Sequence, residues 1–221
     1  MPRKPVVLVC RKIPDEVEAR LGRDYEPRLN PSDRVYSGDE LVKLAEGAEI
    51  VFASHSEILS AEVIGRLPAS VKAIVNFSVG YDHVDVKAAK ARGLIVTNTP
   101  GVLNDATAEI AMLLMLGAAR RAAEGERMMR NGEWKEWSLA FMVGSQVTGK
   151  TLGIVGMGRV GQIFAKRARG FDMKIHYFNR NRLPPELEQG AVYHARVEDL
   201  LPHAQFLSIH CPATPETRGL M

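Results

Sequence analysis

The chain has 221 residues, 46% hydrophobic and 25% charged, which is enough apolar material for the core of a one- or two-domain globular protein and excludes a disordered chain. Its formal net charge of +3 is mild, and Lys and Arg are scattered without a basic run or an aromatic-basic alternation, so no nucleic-acid partner is implied. Cys10 and Cys211 make neither a disulfide framework nor a metal-binding CxxC pair, which points to a reducing cytoplasm and no metal. No signal peptide is read at the start, and the most apolar run, residues 111–119, is too short to span a bilayer, so no membrane partner is expected.

Residues 6–10 are an apolar run between Pro5 and Arg11, the pattern of a buried parallel strand. A helix over 14–21 follows, with Pro at its start and Asp15 and Glu16 in the first turn, where they favour the helix dipole. The alternation continues with strands at 25–29, 49–53, 72–76 and 94–97. Helices at 39–45, 61–67 and 84–91 separate them, and a loop fills 77–83. Strands alternating with helices at this spacing predict a parallel sheet covered on both faces, so residues 1–99 form one compact α/β unit.

Thr99-Pro100-Gly101 marks a boundary, because Pro restricts its predecessor and Gly ends regular structure. Residues 104–116 then read as an N-capped helix that is apolar almost all round and must be covered on several sides. The segment to Lys150 has weak periodicity and carries Trp134 and Trp137. Together, 104–150 read as a dimerisation helix and arm docking on a second copy of the chain. Residues 144–151 match GxxxxGK[ST] letter for letter, the phosphate loop of NTPases. That loop needs a helix directly after it, and residues 152–155 read instead as a strand.

That strand runs into Gly156-Met157-Gly158-Arg159-Val160-Gly161 and a helix. In a dinucleotide site Gly156 permits the turn, Gly158 has no Cβ to obstruct a pyrophosphate, and Gly161 lets the helix pack on the strand. The alternative is an ordinary strand-turn-helix corner. A second strand, 174–178, ends in Asn179-Arg180-Asn181-Arg182, where a NAD-binding unit carries an acid for the ribose 2′-hydroxyl. Asn179, Arg180 and Arg182 instead present donors and positive charge, which suits the 2′-phosphate of NADP(H); a solvated basic turn is the other reading. Strands at 191–193 and 206–210, with an acidic helix at 197–201 between them, complete the pattern.

The glycine motif, the stretch 76–85, Thr107-Ala108-Glu109 and 210–219 together resemble the D-2-hydroxyacid dehydrogenases, and the strand end is similar to that of their NADP-dependent glyoxylate and hydroxypyruvate reductases. The resemblance implies a flavodoxin-like substrate domain (1–99), then a Rossmann doubly wound parallel sheet (100–221), a homodimer, and reduction of a small 2-oxo acid. It also implies roles. Val79 and Gly80, with Ser78 beside them, would hold the substrate carboxylate, while Thr107, Arg159 and Val160 would meet the cofactor phosphates. Cys211 and Pro212 would line the adenine pocket and Thr217 would hold a nearby phosphate or ribose. His210 is isolated from any carboxylate and reads as structural. The family's catalytic arginine, glutamate and histidine fall beyond anything matching Met221, so no catalytic residue is assigned, the Rossmann sheet is expected to be incomplete, and its fourth strand is expected at an apolar edge. A dinucleotide-sensing corepressor without turnover is the alternative within the same architecture, and a P-loop NTPase the remote one.

Overall fold

A computed structural model of the chain describes residues 3–221. The chain divides into two compact units, one running through Val102 and the other Leu103–Met221.

The first unit runs β1 (Val6–Val9), α1 (Asp15–Asp24), β2 (Glu26–Arg28), α2 (Gly38–Leu44), β3 (Ile50–Ala53), α3 (Ala61–Arg66), β4 (Ala73–Asn76), α4 (Val86–Ala91) and β5 (Ile95–Thr97). Its sheet is parallel with order β2-β1-β3-β4-β5, the flavodoxin-like order. Central β1 is buried on both faces. Val6 and Leu8 join Leu41, Ile64 and Ala89 on one side, and Val7 and Val9 join Ile13, Val17 and Leu21 on the other. This is why its sequence is a continuous apolar run. Pro27 sits in the three-residue edge strand β2, where a missing N–H costs least. Side-chain caps start three of the helices: Ser37 with Glu40 in a capping box on α2, Ser60 on α3 and Asp85 on α4.

The second unit opens with α5 (Asn104–Ala119) and α6 (Ala122–Arg130). It continues through β6 (Thr151–Val155), α7 (Arg159–Arg169), β7 (Lys174–Phe178), α8 (Pro185–Glu188), β8 (Val192–His194), α9 (Val197–Leu200), a 3-10 turn (Leu201–His203) and β9 (Phe206–Ile209). The sheet is parallel, in the order β8-β7-β6-β9, the order of the first four Rossmann strands. Among the described residues β9 pairs only with β6, and Leu207 and Ile209 on it are 38% and 52% exposed. Helix α5 turns Ala108, Ala111, Met112 and Met115 into the core shared with Phe164, Ala165 and Ala168 of α7.

Two elements differ from the sequence reading. Helix α6 lies in the segment with weak periodicity, where Arg and Glu alternate with Gly125 and hide the apolar stripe. Its Met128 and Met129 line a small hollow with Trp134, Phe141 and Met142. The one-turn helix α8 is too short to give a periodic signal. The phosphate-loop match leads nowhere: Thr151 is the first residue of β6, so no helix N-terminus follows Lys150.

Three histidines meet at the β8 edge of the second sheet. The rings of His176 (β7), His194 (β8) and His203 (the 3-10 turn) lie with centroids 5.2 Å apart in each pair, and His176 Nδ1 is 3.0 Å from His194 Nε2. Burial first, then His194, His203 and Lys174, lower the His176 pKa. Burial and His203 lower that of His194 against an opposing pull from Asp199. With folded-state values below the unfolded value of about 6.5, the unfolded chain binds more protons as pH falls. The stability contribution is therefore present above about pH 6.5 and is lost on acidification through the lowered folded values. The apparent melting temperature is expected to drop between pH 7.5 and 5.5, and to drop less in His203→Gln, which removes one repelling charge. Burial also lowers His83 and His210, so part of the acid loss should remain in the variant. Equal acid losses in variant and parent would exclude the cluster as a contributor.

Candidate functional site

Strand β6 ends at Val155 and the chain turns at once. Gly156 has φ +94°, and a Cβ on it would lie 2.6 Å from the backbone nitrogen of Cys211 and 2.8 Å from the carbonyl carbon of His210. Only glycine fits. Gly161 is equally constrained, since a Cβ there would lie 2.6 Å from the Gly156 carbonyl oxygen and 3.3 Å from Ile154 Cγ2. Gly158 differs: it is the N-cap of α7, and a Cβ on it would meet nothing within 4 Å. The space it faces is therefore open, and no side chain caps the first turn of the 11-residue α7. The N–H groups of that turn and the positive end of the helix dipole are left for an anion. Arg159 stands exposed on this turn, while the side chain of Val160 packs against the core. Met157 is 1% exposed, and its N–H donates to Asn179 Oδ1 at 2.7 Å. Asn179 thus braces the turn through its acceptor oxygen, a role beyond the donor to a 2′-phosphate that the sequence reading gave it.

Beside the turn lies a cavity of about 340 Å³. Gly156–Gly158 form one side, Phe178, Asn179, Arg180 and Asn181 a second, and His210, Cys211, Pro212, Thr214 and Thr217 a third. Thr217 Oγ1 donates to the Pro212 carbonyl at 2.7 Å and accepts from Thr214 N–H at 2.8 Å. Its hydroxyl therefore closes the wall loop. Arg180 is exposed at the rim and makes no hydrogen bond or ion pair among the described residues. Arg182 is a correction. It does not line the cavity, because its Nε and Nη2 bind Glu188 Oε1 and Oε2 at 2.8 and 3.1 Å.

Thr107 does not line this cavity. Its hydroxyl donates back to the Leu103 carbonyl at 2.8 Å, and the residue borders a different groove, about 560 Å³, between α5 and β9. His210 touches both spaces. Its Nε2 is 2.9 Å from Ser208 Oγ, its ring tilts against Phe164 at 5.3 Å, and burial lowers its pKa. That surrounding keeps the ring neutral and gives it no carboxylate partner.

In the first unit the loop after β4 spends its carbonyls inward. Asn76 Nδ2 donates to the Gly80 carbonyl at 2.9 Å and to that of Ser78 at 3.4 Å, Asn98 Nδ2 donates to that of Val79 at 2.8 Å, and Thr99 N–H also reaches Ser78 O. Ser78 Oγ donates to the Gly80 carbonyl as well. Asn76 is itself held by His83, whose Nε2 is 3.0 Å from Asn76 Oδ1, and both are buried. Among the described residues the N–H groups of Val79 and Gly80, like those of Ser78, Tyr81, Asp82 and His83, have no protein acceptor. Asn76, His83 and Asn98 had no assigned role in the sequence. The signal for Asn76 and Asn98 is their position at the carboxyl ends of β4 and β5, where a polar residue facing inward must be bonding something, whereas His83 lies in the loop beyond with no such marker.

The arrangement has counterparts of known family. The profile of the D-isomer specific 2-hydroxyacid dehydrogenase NAD binding domain matches residues 112–221. The chain is 42% identical over 217 residues to a glycerate dehydrogenase of Hyphomicrobium methylovorum, covering 97% of this chain and 67% of that protein. It is 40% identical to a glyoxylate reductase of Thermococcus kodakarensis, covering 99% and 66%. The crystal structure of a glyoxylate reductase from Paecilomyes thermophila superposes with a TM-score of 0.82 at 33% identity, covering 99% of this chain and 68% of that one. The chain thus spans about two thirds of the length of these relatives. With both sheets in the expected order and a glycine turn built for a dinucleotide, the chain belongs to the D-isomer specific 2-hydroxyacid dehydrogenases, a family of NAD(P)-dependent oxidoreductases.

Proposed function

We propose that the chain provides the cofactor- and carboxylate-holding machinery of a reductase that acts on a short 2-oxo acid such as glyoxylate or hydroxypyruvate, prefers NADP(H), and works as a homodimer in the cytoplasm. One observation carries the reading. Among the described residues two sets of backbone N–H groups, in the first turn of α7 and at Val79–Gly80, have no protein acceptor, and in the second case side-chain amides occupy the carbonyls of residues 78–80 beside them. The first suits a pyrophosphate and the second a carboxylate. The activities named for the relatives, glyoxylate reductase and glycerate dehydrogenase, support the substrate class.

When bound, the reduced nicotinamide supplies the hydride. The residues of the chain hold and orient. Val79 and Gly80 fix the carboxylate end, held by Asn76, His83 and Asn98 behind them, and the α7 turn takes the phosphates. Reduction also needs a cation to polarise the ketone and an acid to protonate the alkoxide. We assign neither within residues 3–221, because His210 is a neutral ring bound to Ser208 and Arg159 stands on the nucleotide turn. Residues 1–221 alone are expected to oxidise NADPH with glyoxylate at a rate near background, measured at 340 nm. Robust turnover would place the cation and the acid among residues given other roles here.

The cofactor preference rests on Arg180, a cation at the rim where an acid would repel a 2′-phosphate. Fluorescence titration is expected to show NADPH binding more tightly than NADH, with Arg180→Gln reducing the difference by roughly tenfold, as losing one charge-assisted hydrogen bond implies. Equal affinities in the unmodified chain would remove the preference.

A second copy of the chain is the proposed cover for the apolar face of α5 and the arm after it. Ile110, Leu113 and Leu114 are 56–66% exposed, and Trp137 and Leu139 are 70% and 87% exposed, more apolar surface than single scattered side chains account for. Sedimentation velocity should give a dimer, shifted to monomer by Leu113→Asp with Trp137→Ser. A monomeric parent chain at micromolar concentration, with both tryptophans open to quencher, would rule it out.

A further inference from the structure

Arg180 and Arg182 are two positions apart in one turn and have opposite surroundings. The turn is tied at both ends. Asn179 Oδ1 accepts from Met157 N–H at 2.7 Å, and the Asn179 carbonyl accepts from Tyr193 Oη at 3.4 Å. At the other end Leu183 N–H donates to Tyr177 Oη at 3.0 Å, and that hydroxyl donates to Glu188 Oε1 at 2.6 Å. Arg182 adds its two bonds to the same carboxylate and lies over the Tyr193 ring at 5.8 Å. Tyr177 is fully buried and the Glu188 side chain is 8% exposed.

We propose that Tyr177 and Glu188 are positioning residues for cofactor specificity: together they hold Arg182 out of the cavity and fix the turn so that Arg180 is the one cation of this turn offered to a 2′-phosphate. The inference rests on the NADP(H) reading above. Its physical basis is the cost of the alternative. If Arg182 swung toward an anion in the cavity, Glu188 would remain in a buried place with only the Tyr177 hydroxyl as donor, and a buried carboxylate stripped of its cation is strongly unfavourable. Arg182 therefore stays where it is. Arg180 has no such tie, and the acid near it in the cavity wall is Glu216, whose carboxyl is held below its ordinary value by Thr214 first and by Arg180 last. The network keeps its charges through the neutral range: burial pushes the Tyr177 hydroxyl up to about 12, and Arg182 and Tyr177 hold the Glu188 carboxyl below its ordinary value. Tyr177 thus stays a donor and Glu188 an acceptor wherever the protein works.

The test compares 2′,5′-ADP with 5′-AMP by calorimetry on the 221-residue chain, which reads the 2′-phosphate without chemistry, and repeats it with NADPH and NADH. Tyr177→Phe removes both the acceptor for Leu183 and the donor to Glu188. It is expected to weaken 2′,5′-ADP about tenfold while 5′-AMP stays within twofold, and Glu188→Gln should act in the same direction. Arg182→Lys, which keeps a cation against Glu188 but loses the fork, should give a smaller loss of the same kind and serves if Tyr177→Phe does not fold. Parallel weakening of both nucleotides would reduce the network to ordinary structural support and overturn the proposal. So would tighter 2′,5′-ADP binding in Glu188→Gln that disappears with Arg182→Ala, since Arg182 would then be a phosphate ligand itself. A parent chain that does not distinguish 2′,5′-ADP from 5′-AMP would instead remove the NADP(H) reading, and this proposal with it.

Discussion

The second unit depends on one close approach: the backbone of Gly156 against the backbone of His210 and Cys211, closer than any side chain would allow. Because β9 pairs beside β6 in parallel, the chain leaving β6 must turn away exactly where the chain leaving β9 arrives. A positive φ and the absence of a Cβ let both pass. The consequence reaches beyond the turn. It sets the wall made by Cys211 and Pro212 against the opening of α7, and the gap between them is the cavity. Gly161 repeats the device one helical turn on, seating α7 against the Gly156 carbonyl, so that the helix N-terminus points at the same space.

Around that constraint both candidate sites follow one rule of hydrogen-bond accounting. A loop in a folded protein must satisfy its polar groups, and here the side chains satisfy the ones that would disturb an anion. Asn76 and Asn98 take up the carbonyls of residues 78–80, while the N–H groups of Val79 and Gly80 have no acceptor among the described residues. In the glycine turn Asn179 takes the Met157 N–H, the Thr217 hydroxyl closes the opposing loop, and the uncapped first turn of α7 remains. The anion affinity proposed for both places would arise from backbone geometry held by side-chain amides and hydroxyls, which costs less than burying a lysine or arginine with no partner.

Much of this was legible in the sequence because it depends on local period. Apolar runs such as 6–9 and 151–155 mark strands buried on both faces, and glycine spacing marks the turn, so the two parallel sheets and the opening of α7 at Arg159 follow. What was not legible depends on contacts that the period does not show, or on a period that other residues obscure. Helix α6 was hidden because its charged residues and Gly125 dilute its stripe. Thr107 looked like a phosphate ligand because the pattern does not reveal that a helical threonine has its own i−4 carbonyl within reach. Asn76 and His83 form a pair that no spacing rule connects, since the contact requires the loop to fold back over the end of β4.

Arg180 and Arg182 show the same limit most sharply. In the sequence they are equivalent: two guanidinium groups on one exposed turn, both suited to a phosphate. They differ because Tyr177, pointing into the core from the last turn of pairing in β7, carries its hydroxyl to the surface of the core beneath residue 183, and α8 brings Glu188 to meet it. A buried carboxylate recruits the nearest arginine, and the nearest is Arg182. The choice between the two arginines is therefore made by a tyrosine and a glutamate eleven residues apart that never touch the cavity. A turn with two cations becomes a turn with one cation directed outward and one used as an anchor. On the proposed NADP(H) reading, a cation carried on a fixed turn loses less conformational entropy on meeting a 2′-phosphate than one carried on a mobile turn.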